Sequence, residues 1–475
     1  MIVLRTRKLI ALAGALMMGY GMNAQVISFP GAEGFGKYTA GGRGGKVYVV
    51  SNLEDDGVGS LRHAVEAKHP RIVVFAVSGT IHLKSRLMIA KDATVAGQTA
   101  PGGGICIADH PVSLGGDNII VRYMRFRMGD RYQNKGMIDG AGADDAFGGN
   151  RRKNIIVDHC SISWSTDEVF SVYGGDSTTL QWNIISEPLN YSYHFEAGDK
   201  DFEHHGYGGI WGGRHLSAHH NLLAHCVSRN PRFNGVRTKE DSELVDYRNN
   251  VIYNWGHNNV YGGEGGQYNL VNNYYKSGPA TSKSVQYRIV NPSRQEKPLI
   301  DFGQFYVNGN YVEGARDVSM NNLLGVHMGK GFEEEKKRVV AAKAFESMAI
   351  PDQSAKEAYE CILQCAGASF PLRDTLDQRI INDVKNKTGR MIDVQGGYPH
   401  GTPYEQTVTA WPALKEGKAP LDSDHDGIPD EWEKKNGLDP NNPGAAPDTT
   451  LGHQRITAHL GRPSGTRRLP SWTAI

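Results

Sequence analysis

Cysteine, net charge and long apolar runs are all scarce in this chain. Five cysteines occur in 475 residues, at positions 106, 160, 226, 361 and 365. So sparse and odd a set excludes a disulfide-stapled scaffold, and at least one thiol must stay unpaired if the chain is exported. The expected role of these cysteines is as small buried apolar residues. Lys and Arg total 52 against 51 Asp and Glu, a net charge of +1. That balance gives no reason to expect nucleic acid or an anionic membrane surface as a partner. The apolar stretch at residues 9–18 is too short to span a bilayer. It follows Arg5, Arg7 and Lys8 and precedes Ala24, so residues 1–24 read as a signal peptide. No cysteine follows that site, which argues against a lipoprotein and for a secreted or periplasmic protein. A nucleotide site is also excluded, because "GGRGG" (41–45) lacks the Lys-Ser/Thr pair of a phosphate loop.

Glycine, by contrast, is abundant. There are 58, about 12 per cent against roughly 7 per cent in ordinary proteins, with no collagen period. Many tight turns are expected. Between them, short β-branched or aromatic segments recur: "NIIVRYMRF" (118–126), "NIIVDHCSI" (154–162), "TLQWNIIS" (179–186), "LSAHHNLLA" (216–224), "LVDYRNNVIY" (245–253), "YNLVNNYYK" (268–276) and "FYVNGNYVE" (305–313). Asn183, Asn221, Asn250, Asn273 and Asn310 occupy the same place in successive segments, at spacings of 38, 29, 23 and 37. Repeats with variable insertions predict stacked coils, in which an Asn at each corner bonds the Asn of the next. The fold class expected is all-β, a right-handed parallel β-helix. A sandwich of antiparallel hairpins is disfavoured by the scarcity of two-residue Asn-Gly and Asp-Gly turns.

Composition changes after residue 332. "EEEKKRVVAAKAFESM" is helical in composition, and "SAKEAYECILQCAG" opens with Ser354 and Glu357 at capping-box spacing and ends at Gly367. The division expected is a β-helix over 25–332, a helical extension packed on it over 333–420, a calcium loop over 421–445 and a poorly ordered tail over 446–475. The loop, "DSDHDGIPDEWE", places Asp422, Asp424, Asp426, Asp430 and Glu433 at the oxygen-ligand offsets of a calcium loop. Ile428 can supply its carbonyl, and Gly427 falls at the turn.

Three groups of reactive residues lie near strand ends: Asp144 and Asp145 in "GADDAFGG", Asp167 and Glu168 in "SWSTDEVF", and Arg229 and Arg232 in "SRNPRF". Equivalent places in neighbouring coils lie about 4.8 Å apart, so these carboxylates can line one site for a hard cation such as calcium. Together "VSGTI", "TVAGQTAPGGG", "DAF", "IIVDHCSISWSTDE", "TTLQWN", "SAHHNLLA" and "RNPRF" occur in the order that resembles the pectate lyase family, polysaccharide lyase family 1, over roughly residues 28–320. A secreted bacterial type with an added C-terminal calcium loop is expected.

The resemblance implies calcium-assisted β-elimination of de-esterified polygalacturonate, a pectic polysaccharide; a monomer is expected. It places the Brønsted base on Arg229. Arg232 becomes its support or a partner for a substrate carboxylate. It assigns calcium to Asp145 and Asp167, with Asp144 and Glu168 beside them. The chain departs from the family in two places. Ser171 stands where a further aspartate is common, so Glu168 is the substitute, although a regular strand would turn it to the other face. A substrate-binding lysine is missing from "EHHGYGGIWGG", which leaves His204, His205 or Tyr207 for that role. Rival readings are a β-helix polygalacturonase, which would give saturated products, a pectin lyase, which would resist chelators, and a non-catalytic glycan-binding β-helix.

Overall fold

The computed structural model describes residues 25–137, 142–237 and 241–443; the expected signal peptide and the whole of the expected tail lie outside them. The chain winds through three parallel sheets. Each segment singled out in the sequence crosses one corner, from a first sheet into a second. Thus Leu216–His219 pairs with Leu244–Arg248 in the first, and Leu222–Ala224 with Val251–Tyr253 in the second. Every pairing between these strands is parallel, and the first two sheets keep register coil upon coil, whereas the pairing of Phe170–Gln181 with Ile210–Gly213 shifts register between Val172 and Gly175. The fold is a parallel β-helix.

Alternation within each strand decides which side chains go inside. Val121, Val157, Leu180, Ala218, Tyr247, Leu270 and Val307 are register partners in successive coils and form one inner column. All lie in the main core. Their neighbours Ile120 and Ile156 point outward and are covered by Phe29 and Ala32 of the N-terminal segment. At the corner, one residue adopts positive φ (Trp182, His220, Asn249, Asn272), and the Asn after it turns inward. Asn183, Asn221, Asn250, Asn273 and Asn310 then form a buried ladder, each side-chain amide donating to the next Asn Oδ1 at 2.9–3.0 Å. The ladder stops at Asn322, which accepts from Asn310 at 3.1 Å.

The two ends of the solenoid are covered. The helix Leu61–Val65 lies over the first coils, and Val318, Val326, Met328 and Val339 close the far end. Helices Ala355–Cys365 and Thr375–Asn386 bury Ile362, Leu363, Leu376, Ile380 and Val384 against Leu222, Val251, Tyr253 and Tyr274 on the outer face of the second sheet. Ser354 and Glu357 form the reciprocal capping pair at the first of these helices. The helix expected from 333 to 348 is shorter than its composition suggests. It ends at Val339, because Val340 pairs in parallel with Phe305 and the Phe345 amide donates to Asn269 Oδ1. Sheet pairing to the last coil outweighs helix propensity there.

Candidate active site

The third sheet carries the reactive residues. Asp145 precedes strand Phe147–Asn150, Glu168 precedes Phe170–Gln181, Tyr207 precedes Ile210–Gly213, and Arg229 precedes Arg232–Phe233. Glu168, Tyr207 and Ser228 are joined by parallel bridges, so these residues rise coil by coil in one row. The Glu168 amide donates to Asp145 Oδ1 at 3.1 Å, and the Asp167 amide to the Asp144 carbonyl at 3.2 Å. Irregular backbone before the strand removes strict alternation, and Glu168 is therefore not turned to the opposite face. Asp145, Asp167 and Glu168 bring carboxylate oxygens within 4.8 Å of one another. They line a cleft of about 300 Å³ together with Arg86, Asp144 and Ser171.

Three clustered carboxylates repel one another. Burial first, then the neighbouring Asp167 charge, pushes the Asp145 pKa well above the ordinary carboxylate range, although Ser171 hydrogen bonds to it. Burial works the same way on Asp167. There it is outweighed by His205, His194 and Arg229, and the Asp167 pKa falls below its usual value. Glu168 Oε1 is buried without an aligned hydrogen bond and contacts Arg229 Nη1. The three carboxylates offer the oxygen donors that a hard divalent cation takes, and the His194 and His205 rings lie beside Asp167.

Arg229 stands at the rim of this cluster. Its backbone has φ +56°, and its guanidinium lies 4.6 Å from the Tyr207 ring centre. The turn behind it is fastened to the core, with the Asn230 side chain donating to the Asn258 carbonyl at 3.0 Å and the Asn230 amide to the Asn259 carbonyl at 3.0 Å.

A second acidic centre lies in the C-terminal loop. Asp422, Asp424 and Asp426 bring oxygens within 4.8 Å of one another, and both Glu433 oxygens are buried nearby without hydrogen bonds. Burial and the surrounding aspartates push Glu433 up to about 7. The donor set fits calcium. Asp430 differs from the expected pattern: it accepts from the Ser423 amide at 2.7 Å and hydroxyl at 2.8 Å, which turns its oxygens to the loop backbone.

No family model matches the chain. It is 37% identical over 432 residues to the protein named "Probable pectate lyase C" of Aspergillus flavus, across 88% of this chain and 89% of that one. The protein of the same name from Aspergillus fumigatus is 36% identical over 427 residues, with the same coverage. The chain belongs to the pectate lyase family. A solved structure described as "Pectate lyase bound to hexasaccharide" is alike in fold, with a TM-score of 0.50 at 14% identity, over 73% of this chain and 99% of that one. Both curated relatives are fungal, so the bacterial type expected from the sequence draws nothing from them.

Within this pectate lyase family member, several expected site residues stand elsewhere. Asp144 pairs with Arg86 and, at 3.6 Å, with Lys135, outside the three-carboxylate cluster. His204 is exposed, stacks on Tyr191 and meets Asn190 at 3.0 Å. His205 is too buried to touch a polymer; its Nε2 lies 2.8 Å from Asp167 Oδ1, which makes it a brace for that carboxylate. Tyr207 is half-buried between His205 and Arg229. Arg232 is already engaged. Its guanidinium donates to the Phe233 and Asn234 carbonyls at 2.8 and 3.0 Å and to Glu264 Oε1 at 3.0 Å. It braces the turn and is not a free partner for substrate. Sequence reasoning missed Arg86, His194 and Glu264. Each meets its partner only through coil stacking or a long loop, which spacing along the chain does not reveal.

Proposed function

We propose that the protein is an exported pectate lyase that cleaves de-esterified polygalacturonate by calcium-assisted β-elimination, with Arg229 as the Brønsted base. The observation that carries this reading is the contact of Arg229 with Glu168 at the rim of the Asp145, Asp167 and Glu168 cluster. Calcium bound there would bridge to the substrate carboxylate and lower the cost of removing the adjacent C5 proton. Arg229 takes that proton, and Tyr207 holds the guanidinium plane over its ring. Guanidinium is charged in neutral water, so a base role needs neighbouring positive charge and poor solvation. Activity is therefore expected to rise toward alkaline pH. Arg86, half exposed in the same cleft, is the cation best placed to meet a substrate carboxylate in place of the missing lysine. We assign a second, structural calcium to Asp422, Asp424, Asp426, Glu433 and the Ile428 carbonyl, and a monomer as the working form.

Ultraviolet absorbance on polygalacturonate, with and without chelator, tests the reading, because elimination creates a C4–C5 double bond. Arg229→Ala is expected to lose on the order of 10²–10⁴-fold in rate. Wild-type protein that gives no absorbance change at any calcium concentration or pH sinks the proposal. Saturated products would indicate a hydrolase, and chelator-resistant cleavage of esterified pectin would indicate a pectin lyase.

A further inference from the structure

Glu168 and Arg229 form an ion pair at the rim of the carboxylate cluster. While that pair stands, the carboxylate occupies the guanidinium that has to reach the substrate proton. The same carboxylate is one of the three whose oxygens converge for a cation. Glu168 is only 4% exposed, and its Oε1 has no aligned hydrogen bond to hold it to either partner. Its backbone is fixed, since its amide donates to Asp145 and its carbonyl accepts from the Ala146 amide at 3.2 Å. The side chain alone can turn between Arg229 and the oxygens of Asp145 and Asp167. His205 is farther, with Nε2 at 4.0 Å from Oε1, and it is nearer Asp167.

We propose that Glu168 is a shared ligand that couples cation binding to release of Arg229. With the acidic cluster empty, Glu168 pairs with Arg229. When calcium binds, Glu168 turns to it and Arg229 loses its counter-ion. Arg229 stays aimed because Tyr207 lies beneath it and the turn is anchored through Asn230. Glu168 is thus a positioning residue: it acts on the proton only through Arg229. This inference rests on the calcium-assisted reading above, and it makes a statement about binding that needs no turnover. If Arg229 and calcium compete for one carboxylate, linkage requires that removing Arg229 tighten calcium binding, and that this effect vanish when Glu168 cannot bind either.

The test is calorimetric titration with calcium chloride, without substrate, on wild type, Arg229→Ala, Glu168→Gln and the double variant. All four are also made with Glu433→Gln, so that heat from the C-terminal loop is separable. Arg229→Ala is expected to bind calcium about 3- to 10-fold more tightly at the cleft, and to change affinity less than about 2-fold in the Glu168→Gln background. Equal tightening in both backgrounds would mean simple charge repulsion, and no tightening would mean no competition; either overturns the proposal. A wild-type cleft that takes no calcium removes the calcium-assisted reading itself, and this inference with it. A second readout needs no change at residue 168. Labelling of Arg229 in wild-type protein by an arginine-specific dicarbonyl, followed by mass spectrometry, should rise several-fold on adding calcium. Labelling that stays constant or falls counts against release.

Discussion

Arg229 and Arg232 are three residues apart in one turn, yet their neighbours give them different work. Arg229 faces the acidic cluster and leaves its Nε without a partner, whereas Arg232 spends its donors on two carbonyls and on Glu264. Glu264 is itself buried and also accepts from the Ser293 hydroxyl at 2.8 Å. Truncating Arg232 therefore strands a buried carboxylate. Arg232→Ala is expected to lower unfolding free energy by about 2–4 kcal/mol, toward the cost of breaking a buried pair. It should cost less activity than Arg229→Ala in the protein that remains folded. Glu168, the buried partner of Arg229, has the proposed calcium to turn to, whereas Glu264 has none, so urea unfolding in calcium and initial rates on the same two variants would show this crossed pattern; the larger stability loss in Arg229→Ala would refute it. Asp145, Asp167 and Arg229 are legible in the sequence because each lies in a motif that resembles the family's, "DAF", "SWSTDE" and "RNPRF". The diversion of Asp144 to Arg86 is not legible, since 58 residues separate them and only the stacked coils bring them together.

At the scale of the strand and turn, the asparagine ladder explains why the coils keep register. Asn250 donates to the Ala218 and Arg248 carbonyls and to Asn273, while its Oδ1 accepts from the Asn221 amide and side chain. Asn250→Leu fits the volume but leaves buried polar groups unpaired on both sides, and a loss of about 2–5 kcal/mol is expected by denaturant titration. A loss under about 1 kcal/mol would mean that water or neighbouring carbonyls replace the ladder. A second test at this scale uses Glu243, which is buried and accepts from Tyr268 at 2.7 Å and from the Gly235 amide at 2.8 Å. Burial raises its pKa to about 7, above an unfolded value near 4.3. Its contribution to stability is thus full below the unfolded pKa and is lost as pH rises through 7. Glu243→Gln mimics the neutral form, so its melting temperature relative to wild type should improve from pH 5 to pH 8. A constant difference would show that Glu243 does not titrate in that window. The repeats in the sequence marked the corner between the first two sheets. The third sheet, which carries the site, was not visible. Its strands "FGGN" and "IWGG" are short and rich in glycine. A Cβ on Gly148 would run into the Ser171 carbonyl, so close packing between coils removed the side chains on which a strand pattern depends.

Across the whole molecule, the chain's last described stretch returns to its first coils. The Gly103 amide donates to the Lys415 carbonyl at 2.7 Å, and Ser78 donates to the same oxygen at 3.0 Å. Ile428 is buried on Ile72 and Val74, with Val47, Val49 and Trp432 around it. The acidic loop is therefore a clasp between distant parts of the sequence, and its charge state decides how firmly it holds. Asp426 is pushed up to about 6 and Glu433 up to about 7, by burial first and then by the other loop carboxylates. Those raised values mean that ionising the bare loop opposes the fold as pH rises. A cation bound to the same oxygens reverses that effect. Calcium at about 100 times its dissociation constant adds about 2.7 kcal/mol when it binds only the folded state. The melting temperature should therefore rise with calcium, and the gain should be larger at pH 8 than at pH 5. Glu433→Gln should remove most of that gain while leaving the smaller part due to the cleft, and trypsin should cut near Lys418 or Lys434 faster in chelator than in calcium. If chelator leaves both the melting temperature and the cutting rate of wild type unchanged, the loop holds the chain by the Ile428 and Trp432 contacts alone.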